Sequence, residues 1–311
     1  MNLRDTLNYY GKHKTPFFFC INYDLTQWEI HPLATLPKNI KYEISNNKNF
    51  IQLQQPKKDF ISFRLYKKQF DKIISQIKAG NTYLLNLTAS TPLNTNYTFD
   101  EIFTSTNAKY KLRFKDKFVS FSPETFVTIC NNTISTFPMK GTIDASITNA
   151  KDVILNDKKE FAEHVMIVDL LRNDLNIVSK NVRVDKFRYI DKINAGEKKL
   201  FQVSSKISGD LDINWHEKIG DILLPMLPAG SISGTPKKMT LDIIREVEEH
   251  KRDFFTGVWG VYDGNSLDSA VLIRFIENSS NGFIYKSGGG ITLDSDPMSE
   301  YDELKAKVYL P

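Results

Sequence analysis

Thr125-Phe126-Val127-Thr128-Ile129-Cys130-Asn131-Asn132-Thr133-Ile134-Ser135-Thr136-Phe137 is the stretch on which the fold class turns. Two apolar runs flank the pair Asn131-Asn132. Asparagine tolerates the positive φ that a two-residue hairpin turn demands, so the two runs read as antiparallel neighbours. A second hairpin is expected from residues 258–262 and 267–275 around Asp263-Gly264-Asn265-Ser266. Residues 17–23, 28–31, 82–88, 118–122 and 283–287 read as further strands, and 46–49 as a turn. Phe70, Ile73, Ile74 and Ile77 recur at helical spacing, with Gly80 where a left-handed C-terminal cap belongs. Helices are also expected over 157–173, over 236–249 with Thr235 as N-cap and Pro236 first in the helix, and over 297–308. Strands and helices mix without strict alternation. That favours an α+β fold over a doubly wound parallel sheet.

The 311 residues carry 41 Lys plus Arg and 37 Asp plus Glu, a formal charge of +4. So small an excess, interspersed with acids, gives no footprint for nucleic acid. Two cysteines, Cys20 and Cys130, make neither a disulfide framework nor a cysteine zinc site. No apolar run reaches the roughly 18 residues of a membrane helix, and the run at 16–21 is too short for a secretion signal. A cytoplasmic protein that engages neither membrane nor nucleic acid is expected. The 21 Phe and 13 Tyr supply a core without staples.

Four features carry possible chemistry. Glu160 and Glu163 lie i, i+3 on one expected helix, and Glu300 and Glu303 on another, with Lys307 four residues further on. Two facing pairs would make an all-oxygen site for a hard cation such as Mg²⁺, whereas separate pairs would only decorate solvated faces. Gly288-Gly289-Gly290 after a strand lets backbone N–H groups approach an anion, or forms a plain loop. Gly230-Ser231-Ile232-Ser233-Gly234-Thr235-Pro236-Lys237 joins small residues to a helix start, which also suits an anion, but lacks the spacing of a triphosphate-binding loop. Lys140, followed by Gly141, is a nucleophile, an anion ligand or a surface lysine. Glu124, sixteen residues earlier across the hairpin, could pair with it as acid and nucleophile or as a salt bridge.

In this order along the chain, these segments resemble the chorismate-utilising enzymes. The likeness is carried by Gly80-Asn81-Thr82-Tyr83-Leu84-Leu85-Asn86-Leu87-Thr88, Ser122-Pro123-Glu124-Thr125-Phe126, Pro138-Met139-Lys140-Gly141-Thr142 and the run from Glu163-His164 to Arg172-Asn173-Asp174-Leu175. It continues through the segment from Gly230 to Lys237, Ile273-Arg274, Gly288-Gly289-Gly290-Ile291, Asp294-Ser295-Asp296-Pro297, Glu300-Tyr301-Asp302-Glu303 and Lys307. The resemblance implies a single chorismate-binding catalytic domain over 1–311, with short N-terminal strands over 1–61 and the catalytic core over 62–308. Its fold would be two β-sheets packed face to face with helices outside.

The resemblance also implies roles. Glu160, Glu163, Glu300 and Glu303 would hold Mg²⁺. Arg274, Gly288, Gly289, Gly290, Phe255, Gln202, Gly141, Thr142, Ser231 and Lys307 would bind substrate. Isochorismate and salicylate synthases carry a lysine base where this chain has Leu84, which cannot take a proton. Anthranilate synthases usually carry alanine where this chain has Lys140. Lysine there is the mark of aminodeoxychorismate synthase component I, which implies Lys140 as nucleophile and Glu124 as acid. Such an enzyme uses chorismate and ammonia, the latter from a separate glutamine amidotransferase subunit, component II, and serves para-aminobenzoate and folate synthesis. Two departures stand out. Gln202 occupies a family histidine position, and Phe255 the position of a family tyrosine. With about 60 residues before the core, inhibition by tryptophan is not expected. The alternatives are anthranilate synthase component I and a non-catalytic chorismate-binding protein. Catalysis requires Glu124 protonated, above its ordinary value of about 4.3, and Lys140 neutral, below about 10.4.

Overall fold

The computed structural model describes residues 1–45, 53–195 and 198–310, and the turn expected at 46–49 lies outside them. Among the described residues all strands fall into two antiparallel sheets, one of nine strands and one of eight. The first runs Met139–Asp144, Lys198–Asp210, Thr133–Thr136, Thr125–Cys130, Leu267–Val271, Val258–Tyr262, Phe17–Ile21 and Trp28–Pro32, with Lys180–Ala195 also paired to Lys198–Asp210. The second runs Gly234–Thr235, Leu84–Asn94, Gly282–Ile291, Phe275–Ser279, Phe118–Ser122, Tyr110–Phe114 and Ile40–Ile44, with Lys57–Lys58 also on Leu84–Asn94.

The hairpin at 125–137 forms as its sequence predicts: Ile129 pairs with Ile134, and Asn131 and Asn132 take φ of 48° and 58°. Phe17–Ile21 explains how the sheets pack. All five residues are fully buried, because the strand is covered on both faces. Phe18 and Cys20 join an aromatic cluster with Phe114, Phe118 and Phe275 of the other sheet. Phe17, Phe19 and Ile21 face outward instead, into a cluster with Trp215, Ile219 and Leu223. Burying each such side chain contributes about 1.5–3 kcal/mol. The described residues among the first 61 therefore share both sheets and their core with the rest of the chain, and they begin with a helix, Leu3–Lys12, that the sequence pattern did not predict. Asn2 caps it by accepting the Asp5 N–H at 2.9 Å.

Three expected elements differ. The run at 267–275 is two strands, Leu267–Val271 in one sheet and Phe275–Ser279 in the other, and the chain changes sheet at Arg274 with φ of 50°. Gly288, Gly289 and Gly290 form no loop. They continue the strand Gly282–Ile291 and pair with Thr88, Leu87 and Asn86. The helix expected from Pro236 begins at Lys237 and ends at Val247, since Thr235 is held in a strand pair with Leu84 and cannot cap.

That pair also depends on Gly234, whose φ is +137° and where a Cβ would lie 1.9 Å from the Leu84 carbonyl oxygen. Gly234→Ala is expected to lower the denaturant midpoint by a stability loss of at least about 1–3 kcal/mol, the usual cost of such backbone strain. A midpoint equal to the parent's would show that the strand relaxes without cost.

Candidate active site

The chain crosses from the eight-stranded to the nine-stranded sheet between Phe118–Ser122 and Thr125–Cys130, and back between Leu267–Val271 and Phe275–Ser279. Glu124 sits in the first crossing and Arg274 in the second. The crossings are bonded to each other: Val271 N–H donates to the Glu124 carbonyl and Phe121 N–H to the Arg274 carbonyl, each at 3.1 Å. Two residues 150 positions apart thus meet at one point between the sheets.

Two helices supply the acids. Lys158–Val178 packs on Met139–Asp144 and Lys198–Asp210, and Asp157 caps it by accepting the Glu160 N–H at 2.9 Å. Pro297–Ala306 packs on the glycine strand, capped by Asp296. Lys159 reaches both, 3.8 Å from Glu163 and 4.0 Å from Glu300, so the two acidic pairs face each other. Missing side chains make the room: a Cβ on Gly289 would lie 3.7 Å from Glu300 and 3.8 Å from Glu303, and one on Gly141, whose φ is +94°, 3.0 Å from Glu160. One on Gly290, the next residue of the strand, would meet Leu84 at 3.1 Å on the opposite face.

Lys140 rises from an irregular stretch of its strand, between Met139 and Thr142, and its Nζ lies 2.6 Å from Glu163. Its partner is Glu163, not Glu124, so the expected Glu124–Lys140 pair does not form. Burial acts to lower the Lys140 ammonium's pKa, but Glu163, Glu303 and Glu160 together outweigh it and hold it above its usual value. Neutral Lys140 is therefore not the resting form while those carboxylates are free. Glu124 follows expectation: burial raises its carboxyl, against the Ser231 hydroxyl and the charges of Lys307 and Arg274. Ser231 Oγ donates to Glu124 Oε1.

Burial also raises Glu160 and Glu300, and each is raised further by neighbouring carboxylates. Burial acts likewise on Glu303, but Lys307 at 2.6 Å, with Lys140 and Lys159, holds it below the usual range. Lys307 itself is lowered by burial and also donates to the Gly288 carbonyl at 2.8 Å. Glu160 Oε2 is buried with no hydrogen-bond partner. Among the described residues no three of these acids converge as a ready-made metal site, and Lys140, Lys159 and Lys307 stand among them. The donor set still fits a hard cation that keeps waters and needs only one or two carboxylates directly. The orphaned Glu160 oxygen is the place where it fits best.

The remaining expected residues are spread around this centre. Arg274 lies over the Tyr309 ring at 5.3 Å, with Nε buried and unpaired. Thr142 is exposed and sits opposite half-buried Gln202 in the ladder. Phe255 is only 2% exposed and packs on Phe275 at 5.8 Å within the aromatic core. The segment from Gly230 to Lys237 is not an anion cradle, since the Gly230 N–H and the Lys237 ammonium are both spent on Asp174. Sequence reasoning missed Lys159, although its spacing of four from Glu163 would have suggested an ion pair.

The chain matches the chorismate binding enzyme family over residues 21–310. It is 46% identical over 310 residues to an uncharacterized PabA-like protein of Haemophilus influenzae, covering 98% of this chain and 94% of that one. It is 31% identical over 254 residues to aminodeoxychorismate synthase component 1 of Bacillus subtilis, covering 77% and 53%. The crystal structure of anthranilate synthase component I from Streptococcus pneumoniae superposes with a TM-score of 0.70 at 25% identity, over 82% of this chain and 59% of that one. Two antiparallel sheets with acidic helices around their crossing are thus the fold of a chorismate-utilising enzyme. The chain belongs to the chorismate binding enzyme family, and its substrate is chorismate. No helix among the described residues is long and apolar enough to cross a membrane.

Proposed function

We propose that the chain is aminodeoxychorismate synthase component I, which converts chorismate and ammonia to 4-amino-4-deoxychorismate for para-aminobenzoate and folate synthesis. A glutamine amidotransferase subunit, component II, supplies the ammonia. The observation that carries the reading is Lys140, an amine held 2.6 Å from Glu163 among the acids, where a nucleophile can reach the ring. The Bacillus subtilis relative supports it. Leu84 beside Gly290 disfavours attack by water, since no base stands there.

Lys140, after losing its extra proton, attacks ring carbon 2 as the free amine while both ring double bonds shift and the carbon 4–oxygen bond breaks. Glu124 gives its proton to the departing hydroxyl, which leaves as water, and takes back the proton that the bonded Lys140 nitrogen sheds. Ammonia then adds at carbon 4, both double bonds shift back, the carbon 2–Lys140 bond breaks, and the proton ammonia loses goes to the departing amine. Arg274, with its unpaired Nε, is suited to the enolpyruvyl carboxylate, and Gly289, with no side chain, leaves room before Glu300 and Glu303. Glu160, Glu163, Glu300 and Glu303 would hold Mg²⁺, which when bound withdraws electron density from the ring through the ring carboxylate. Incubating the purified chain with chorismate, Mg²⁺ and ammonium at mildly alkaline pH tests the reading by product mass. Aminodeoxychorismate keeps the enolpyruvyl group; anthranilate as product would move the chain to the anthranilate synthases.

Metal use has its own test. Mg²⁺ is expected to raise the melting temperature of the parent, by about 2.7 kcal/mol of added stability at 100 times its dissociation constant. Glu163→Gln and Glu303→Gln should lose most of that shift and their turnover at low Mg²⁺, because an amide is a poorer ligand for a hard cation. Parent-like shifts in both variants would exclude these acids as the metal site.

A further inference from the structure

Ser231 meets Glu124 from the turn Gly230–Ile232, and that turn is gripped at both ends by ion pairs, one half-buried and one fully buried. At the near end the Gly230 N–H donates to Asp174 Oδ2 at 3.1 Å. Asp174 Oδ1 takes Lys237 Nζ at 2.8 Å, and Lys237 also donates to the Met226 carbonyl at 2.9 Å. At the far end the Ile232 carbonyl accepts Arg252 Nη1 at 2.8 Å. The same guanidinium donates to the Asn86 carbonyl at 2.6 Å and pairs with Glu248 at 2.7 and 2.9 Å, both side chains being 3% exposed or less. Glu248 Oε1 in turn accepts the Thr88 N–H at 2.9 Å. Asn86 and Thr88 lie opposite Gly290 and Gly288. Glu124 and Ser231 both line a cavity of about 10 Å³, at the limit of room for one water.

A buried ion pair is a poor source of stability, because apolar residues of similar volume usually serve as well. A half-exposed pair is worth still less, so two ion pairs on either side of one serine point to geometry. We propose that Asp174–Lys237 and Glu248–Arg252 are positioning residues that hold the Ser231 hydroxyl on Glu124 and so aim its proton. The inference rests on Glu124 being the proton donor of the proposed reaction. The groups facing Glu124 are Ser231 from the turn, Lys307 from the end of the last helix and Arg274 from the second crossing. The Ser231 hydrogen bond and both cations favour the carboxylate. A slack turn therefore raises the acid further and moves the alkaline fall of the rate to higher pH.

Arg252→Lys and Asp174→Asn test this beside Ser231→Ala and Glu124→Gln. Each is checked for folding by its melting curve and assayed for kcat, KM and pH profile. Misplacing a reacting group by about 1 Å costs on the order of 100-fold in rate. Arg252→Lys and Asp174→Asn should lose on the order of 10- to 100-fold in kcat with KM for chorismate unchanged. Their alkaline limb should move upward, as in Ser231→Ala. Folded variants with parental kcat and an unmoved limb would overturn the inference. So would a rate loss that tracks only the unfolded fraction. Should both ion-pair variants fail to fold, Ser231→Ala decides, since it leaves both pairs intact; a parental kcat and limb there leave the pairs nothing to position. Full activity of Glu124→Gln would overturn the proton-donor reading as well. Loss in Glu124→Gln with normal ion-pair variants overturns the positioning role alone.

Discussion

Lys140→Ala is expected to abolish formation of aminodeoxychorismate by the covalent route, the largest effect of any substitution considered. The parent, mixed with chorismate and Mg²⁺ without ammonia and then quenched, should gain the mass of chorismate less water. The variant should show no adduct. A tethered amine in the right orientation is worth about 7–11 kcal/mol at best over a free one, so added ammonia or methylamine should rescue little of the rate. Chorismate binding should survive, because Arg274 lies in the second crossing, Lys307 at the end of the last helix and the glycine strand in the eight-stranded sheet, all away from the strand of Lys140. With carbon 2 open, slow direct attack by ammonia there gives an anthranilate-type intermediate. The structure adds one further expectation. Glu163, at 2.6 Å, is the partner of Lys140, so the variant frees that carboxylate. An unchanged rate and product would reduce Lys140 to the counter-charge of Glu163 and return the chain to the anthranilate reading.

Glu124→Gln is expected to cost roughly 10²–10⁴-fold in kcat, the usual contribution of a positioned acid. An amide hydrogen-bonds to Ser231 nearly as well but gives no proton. The pH dependence has a definite sign. Burial raises the Glu124 carboxyl, so the proton stays on to higher pH than for a free glutamate. The rate contributed by this acid is present below its raised pKa and falls as pH climbs through it. In Glu124→Gln the residual rate should lack that fall. A variant that keeps the parental alkaline limb would show that another group, such as Lys307, sets it.

Much of the secondary structure was legible because it is local. Asn131-Asn132 names its own turn, and the spacing Phe70, Ile73, Ile74 and Ile77 names its helix, which runs Phe63–Lys78 with Gly80 at φ +77° beyond its end. Leu3–Lys12 was missed because its apolar face is short, with Leu3, Leu7 and Gly11 its buried positions. The break inside 267–275 was missed for a different reason. A run that leaves one sheet for another stays apolar throughout, since both of its halves are buried.

The candidate site divides along the same line. The sequence determined which chemistry is present: two i, i+3 acid pairs, a lysine beside a glycine, and a glycine run. Those are properties of residue type and short spacing. Only the tertiary structure decided who meets whom. Lys140 pairs with Glu163 across a strand and a helix, Glu124 meets Ser231 across 107 residues, and Arg252 joins the Ile232 and Asn86 carbonyls. Of these, the Glu124 contact arises where the chain changes sheet, at residues 123–124, beside the return crossing at 272–274. The place of a crossing is set by the packing of one sheet on the other, which no local pattern of residues encodes.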